Sequence, residues 1–164
     1  MTIPNALTLV RILLTPLVVW LLLASRLDYA LLVFFIAGLT DGVDGLIARL
    51  FHQKTTLGAY LDPLADKLLL VSSFILLAYL TIVPVWLAVI IVSRDVIILL
   101  GMVTLVFHNV DVEIKPSIIS KLTTLMQVLT VLVVLGVSYI SFPRWVYVVL
   151  FVLTGISTIA SGMQ

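Results

Sequence analysis

Apolar residues fill this chain in six long runs, interrupted by short polar breaks. The runs cover residues 6–23, 30–50, 57–80, 85–107, 118–140 and 145–161. Each approaches or exceeds the roughly 20 residues that carry a helix across the hydrocarbon core of a bilayer. The breaks hold Arg26 and Asp28, then residues 52–56, a bare Pro84 turn, the polar stretch 108–116, and Phe142-Pro143-Arg144. Residues 1–5, with Pro4, read as a short cap or interfacial turn. The pattern predicts an all-α integral membrane protein, six transmembrane helices in one bundle, as a single domain over residues 1–164.

Composition supports that reading. With 63% hydrophobic and 10% charged residues and a mean hydropathy of +1.33, a soluble domain could not cover its own apolar surface. Cysteine is absent, which excludes disulfides, thiolate metal sites and a cysteine nucleophile. His52 and His108 are the only histidines, a poor basis for a zinc site. The start of the chain lacks a basic n-region and a small-residue cleavage site, so no removable signal peptide is expected. Lysines and arginines set the orientation. Arg49, Lys54 and Lys67 flank the second break, and Lys115 and Lys121 the fourth, against only Arg26 and Arg144 on the other side. Both termini are therefore expected in the cytoplasm, with the protein multi-pass in the cell (inner) membrane.

One stretch breaks the apolar rule at membrane depth: Asp41, Asp44, Asp62 and Asp66 sit among hydrophobic residues, with Arg49 between the pairs. A carboxylate there costs several kcal/mol unless it pairs or binds something, so such a cluster marks a functional site by default. At 100° per residue, Asp41, Asp44, Gly45 and Ala48 share one helix face. Gly58, Asp62 and Asp66 do the same on the next helix. A short connection makes these two helices antiparallel neighbours, with both acid pairs about 8–15 Å below the loop. A set of carboxylates calls for a hard cation: magnesium, manganese or calcium. Two such ions could neutralise a pyrophosphate, and an aspartate not saturated by metal could take a proton from an attacking hydroxyl. Gly45, Ala48 and Gly58 leave room for a flat or charged group, or simply allow close helix packing. Arg49 is either a fork for phosphate oxygens or a snorkelling interfacial arginine.

The run Asp41-x2-Asp44-Gly45-x2-Ala48-Arg49-x8-Gly58-x3-Asp62-x3-Asp66 resembles the full signature of the CDP-alcohol phosphatidyltransferase family, and the six-span layout is similar too. The resemblance implies that Asp41, Asp44, Asp62 and Asp66 hold two divalent cations, Mg2+ or Mn2+, with Asp66 as general base. It implies that Gly45, Ala48 and Gly58 border the nucleotide and that Arg49 contacts the CDP diphosphate. The reaction implied is transfer of a phosphatidyl group from CDP-diacylglycerol to an alcohol with release of CMP, by a homodimer with its active site facing the cytoplasm. Nucleic acid is not among the expected partners.

Outside the signature, Arg94 and Asp95 lie mid-span in the fourth run, and Lys121 opens the fifth. Arg94 either faces an anionic acceptor, a lipid or a polyol phosphate, or pairs structurally. Lys121 either does the same or is an ordinary positive-inside lysine. Pro4, Asn5, Thr8 and Arg11 on the first span are weaker candidates for the same cavity. Within the family, Arg94-Asp95-Val96 and Lys115-Pro116-Ser117-x-x-Ser120-Lys121 look more like members whose acceptor is phosphatidylglycerol. Members that take glycerol 3-phosphate typically open the fifth span with Gly-Lys-x-Lys-Thr, whereas this chain reads Ser120-Lys121-Leu122-Thr123-Thr124. Inositol phosphate and serine are less favoured acceptors. The rival from another class is a cation transporter; the acidic helix pair occurs once, without the internal repeat usual in such folds.

Overall fold

A computed structural model describes the backbone of residues 3–50, 56–107 and 118–163, and the side chains of residues 9–40, 65–101, 104 and 119–163. All the long elements are helices: α1 (Ile3–Leu23), α2 (Leu27–Leu50), α3 (Thr56–Tyr79), α4 (Val85–Phe107), α5 (Ile118–Leu135) and α6 (Arg144–Gly162). The six apolar runs thus become six helices, with shifted ends. The α1 helix begins at Ile3 and takes in the residues expected to form a cap. Pro4 fits its first turn, where an N–H has no intrahelical partner in any case. Leu27 begins α2, which puts Asp28 in the first turn, against the positive end of the helix dipole. The fifth run is shorter as a helix than as a pattern: past Leu135 it tightens into one 3₁₀ turn, Gly136–Ser138.

Two connections close with the same backbone device. At the end of α1 the N–H of Arg26 donates to Leu21 O and that of Ser25 to Leu22 O. At the end of α3, Ile82 N–H donates to Leu77 O and Thr81 N–H to Ala78 O. These are Schellman caps, and each puts its C′ residue, Ser25 (φ 56°) or Thr81 (φ 60°), in the left-handed region.

The helices form a ring. Among the described residues α1 packs on both α2 and α3, α3 on α4, α4 on α6, α6 on α5, and α5 back on α2, with a lighter α3–α5 contact across the middle. Val18, Leu22, Phe34, Leu70, Phe74, Leu77, Leu87, Ile91, Val131 and Leu135 fill the interior. The outer surface is just as apolar: Leu13, Trp20, Leu32, Ile97, Leu125 and Ile156 are all more than half exposed. So large an apolar exterior is foreign to a soluble monomer and suits lipid. Ile119–Ser138 and Arg144–Gly162 are long and apolar enough to cross a membrane, and Leu9–Leu23 and Leu27–Thr40 are shorter apolar segments.

Between α5 and α6 the packing is polar at helical spacing. Thr123 Oγ1 donates to Ser157 O (2.8 Å), Gln127 Nε2 to Thr158 Oγ1 (3.3 Å), and the Thr130 and Thr154 hydroxyls meet at 2.7 Å. In lipid, where helices gain little by hiding apolar surface from each other, such hydrogen bonds add specificity to van der Waals packing.

Candidate active site

A chain of charged contacts crosses the bundle from α1 and α3 through the middle of α4 to the start of α5 and the end of α6. Arg11, 1% exposed on α1, donates from Nη1 to Asp66 Oδ1 on α3 at 2.5 Å. The next residue, Lys67, donates to Asp95 Oδ1 on α4 at 2.7 Å. Arg94 Nη1 donates to the same oxygen at 2.8 Å. Arg94 Nη2 then reaches Ser120 Oγ on α5 (2.9 Å) and Ser161 Oγ on α6 (2.5 Å). Five helices are tied by one network. Among the described residues it sets Arg11, Lys67 and Arg94 against Asp66 and Asp95.

The network revises two sequence readings. Lys67 was counted toward topology as a residue flanking a loop; it lies inside α3, only 19% exposed and committed to Asp95. Asp95 needs it, since a buried carboxylate on a membrane helix requires a counter-charge. Nothing in the sequence joins Lys67 to Asp95, which already has Arg94 as its chain neighbour. Arg11, given little weight at first, is the described partner of Asp66. Arg94 is buried and its terminal nitrogens are occupied by Asp95, Ser120 and Ser161.

Asp66 is the one signature aspartate whose side chain is described; it is partly exposed (32%) and held by Arg11. The side chains of Asp41, Asp44, Gly45, Ala48, Arg49, Gly58 and Asp62 lie outside the described residues, as do Pro4, Asn5 and Thr8. The backbone does show α2 helical through Leu50 and α3 helical from Thr56. Asp41 and Asp44 are therefore one turn apart on α2, and Asp62 and Asp66 one turn apart on α3. The direct α2–α3 pairing expected at the acids falls on the undescribed side chains; among the described residues α1 touches both helices. Asp41, Asp44, Asp62 and Asp66 are oxygen donors, a hard set by chemistry, and Asp66 presents a carboxylate that solvent can reach, so these residue types fit a divalent cation.

Lys121, on the first turn of α5, points into a groove between α2 and α5 of about 580 Å³. Its ammonium makes no ion pair or side-chain hydrogen bond among the described residues. Its neighbour Ser120 lines the same groove while accepting from Arg94.

These features define a helical bundle with an apolar exterior, crossed by a charged network that includes Asp66. Residues 1–160 match the CDP-alcohol phosphatidyltransferase family, and the chain belongs to it. It is 36% identical to the cardiolipin synthase (CMP-forming) of Rattus norvegicus, over 98% of this chain and 59% of that protein. The Homo sapiens cardiolipin synthase (CMP-forming) is 34% identical over the same shares. The CDP-diacylglycerol–glycerol-3-phosphate 3-phosphatidyltransferase of Bacillus subtilis is 32% identical, over 93% of this chain and 90% of that protein. The chain thus spans about three-fifths of the length of the rat and human relatives.

Proposed function

We propose that this chain transfers the phosphatidyl group of CDP-diacylglycerol to a hydroxyl of phosphatidylglycerol, forming cardiolipin and releasing CMP. Similarity to CMP-forming cardiolipin synthases across 98% of the chain is the observation that carries this reading. The acceptor oxygen bonds to the phosphatidyl phosphorus, the bond from that phosphorus to the CMP oxygen breaks, and the acceptor proton passes to Asp66. Arg11 holds one oxygen of that carboxylate and so fixes where the base stands. Arg49 would clamp the diphosphate, while Gly45, Ala48 and Gly58 leave space for the nucleotide beside it. Asp41, Asp44, Asp62 and Asp66 would hold two divalent cations, Mg2+ or Mn2+, which supply charge neutralisation for the diphosphate and the leaving CMP. Lys121 contributes the cation for an acceptor phosphate, and Arg94 stands behind it through Ser120. The bundle is multi-pass in the cell (inner) membrane, six helices spanning, with both termini and the acid cluster on the cytoplasmic side, working as a homodimer.

A second reading takes glycerol 3-phosphate as acceptor. The Bacillus subtilis relative favours it, since the alignment there covers 90% of the partner's length. Detergent-purified protein with labelled CDP-diacylglycerol, offered phosphatidylglycerol, glycerol 3-phosphate, inositol phosphate or serine, decides between them. CMP release with phosphatidylglycerol alone is the expected result; release with glycerol 3-phosphate alone installs the second reading. Absence of CMP release with every acceptor removes both acceptor readings. In the same assay Asp66→Asn should lose about 10²–10⁴ in kcat, the range for a general base, while retaining most metal binding. Wild-type turnover by that variant removes the base assignment.

A further inference from the structure

The α5 helix has two faces with different duties. Thr123, Gln127 and Thr130 are sewn to α6, whereas Lys121, Thr124, Leu125, Val128 and Leu132 look across to Phe34, Phe35, Gly38 and Leu39 of α2. The second set lines the groove, and its character changes along its length. Ser120, Lys121 and Thr124 make one end polar; the rest is aliphatic or aromatic. From Lys121 to Leu132 the helix rises about 16 Å, the scale of an extended acyl chain. At the polar end Gly38 stands three residues before Asp41 on α2, about 4.5 Å along the axis, so the groove leads to the acid-bearing end.

We infer that this α2–α5 groove receives an acyl chain of the acceptor, a phospholipid with a single phosphodiester charge set against Lys121. The inference rests on the transferase reading and adds to it a lipid subsite and the residues that line it. Charge complementarity selects the occupant. Lys121 is one cation with no protein counter-ion among the described residues, which matches one phosphodiester. The second cation, Arg94, is already neighboured by Asp95 and among the described residues reaches the groove through Ser120. A nucleoside diphosphate brings more charge than Lys121, the one cation among the described residues lining the groove, answers. An uncharged headgroup would leave the ammonium unmatched.

Gly38 gives the test its handle. A Cβ built there meets nothing within 4 Å, so a larger side chain enters the groove without striking the backbone. Gly101 on α4 is equally open and lies away from the groove, which makes it the matched control. In the full chain, Gly38→Leu should raise the KM for phosphatidylglycerol about tenfold through steric overlap, for short and long acyl chains alike because it stands at the polar end of the groove. The KM for CDP-diacylglycerol should hold, and Gly101→Leu should match wild type. A rise confined to CDP-diacylglycerol, or no rise for phosphatidylglycerol of either length, overturns the assignment. A readout without turnover separates this from the choice of acceptor. Phosphatidylglycerol with a diazirine on its acyl chain should label Phe34, Leu125, Val128 or Leu132 in wild type. Unlabelled phosphatidylglycerol should compete and phosphatidylcholine should not, and Gly38→Leu should lose the label. Label elsewhere, or competition by phosphatidylcholine, sinks the groove. Specific label combined with turnover on glycerol 3-phosphate alone sinks the acceptor role and leaves a lipid site.

Discussion

Lys121 and Arg94 looked equivalent in the sequence, a lysine and an arginine each out of place in apolar surroundings, yet their surroundings separate them. Lys121 faces an open groove with no described counter-ion, so Lys121→Ala should act on substrate. The expected result is a KM for the acceptor raised about tenfold, with the CDP-diacylglycerol KM and thermal midpoint unchanged, in steady-state kinetics with each substrate varied; the figure is that of one charge-assisted hydrogen bond. A donor KM that rises instead would reassign the lysine to CDP-diacylglycerol. Arg94 is locked into α4, α5 and α6, and its removal would leave Asp95 with Lys67 as its one described cation. At this scale the four aspartates stand out in the sequence because an acid in an apolar run is costly wherever the chain puts it. Lys67 and Arg11 were not, because a cation's partner is chosen by a neighbouring helix rather than by adjacent sequence.

Helices are the scale at which apolar runs speak most directly. Six runs gave six helices, and the misplaced ends are physically explicable. Pro4 can open a helix as readily as precede one, and Gly136 loosens the end of a run whose hydropathy continues to Ile140. The caps were not legible, since Ser25 and Thr81 are unusual choices for a left-handed C′ position that favours glycine. Thr81 is also β-branched, which worsens the clash. Thr81→Gly should therefore raise the thermal midpoint in detergent, by the equivalent of about 1 kcal/mol. A lowered midpoint would mean that the Thr81 side chain contributes more than its backbone costs. The seam between α5 and α6 was not legible either: Thr123, Gln127 and Thr130, at i, i+4 and i+7, look unremarkable until a second helix supplies their partners.

For the whole molecule, the ring order α1–α2–α5–α6–α4–α3 brings helices distant in sequence into contact and opens the α2–α5 groove. The turn after α3 and the start of α6 line one pocket and so share an end of the bundle. The absence of native cysteine makes the proposed orientation directly testable. Arg26→Cys and Tyr139→Cys should react with an impermeant thiol reagent in intact cells. Met163→Cys, 84% exposed at the far end of α6, should react only after permeabilisation. Reversed labelling would invert the bundle and place the acid cluster outside.

Hydropathy and helical hydrogen bonding act over a few residues, so the sequence by itself determined the six helices, the apolar exterior and the spacing of Asp41, Asp44, Asp62 and Asp66. Contacts between helices depend on how rigid rods dock, and only tertiary structure decided that Arg11 meets Asp66, that Asp95 gathers Lys67 and Arg94, and that α5 turns one face to α6 and another to an open groove.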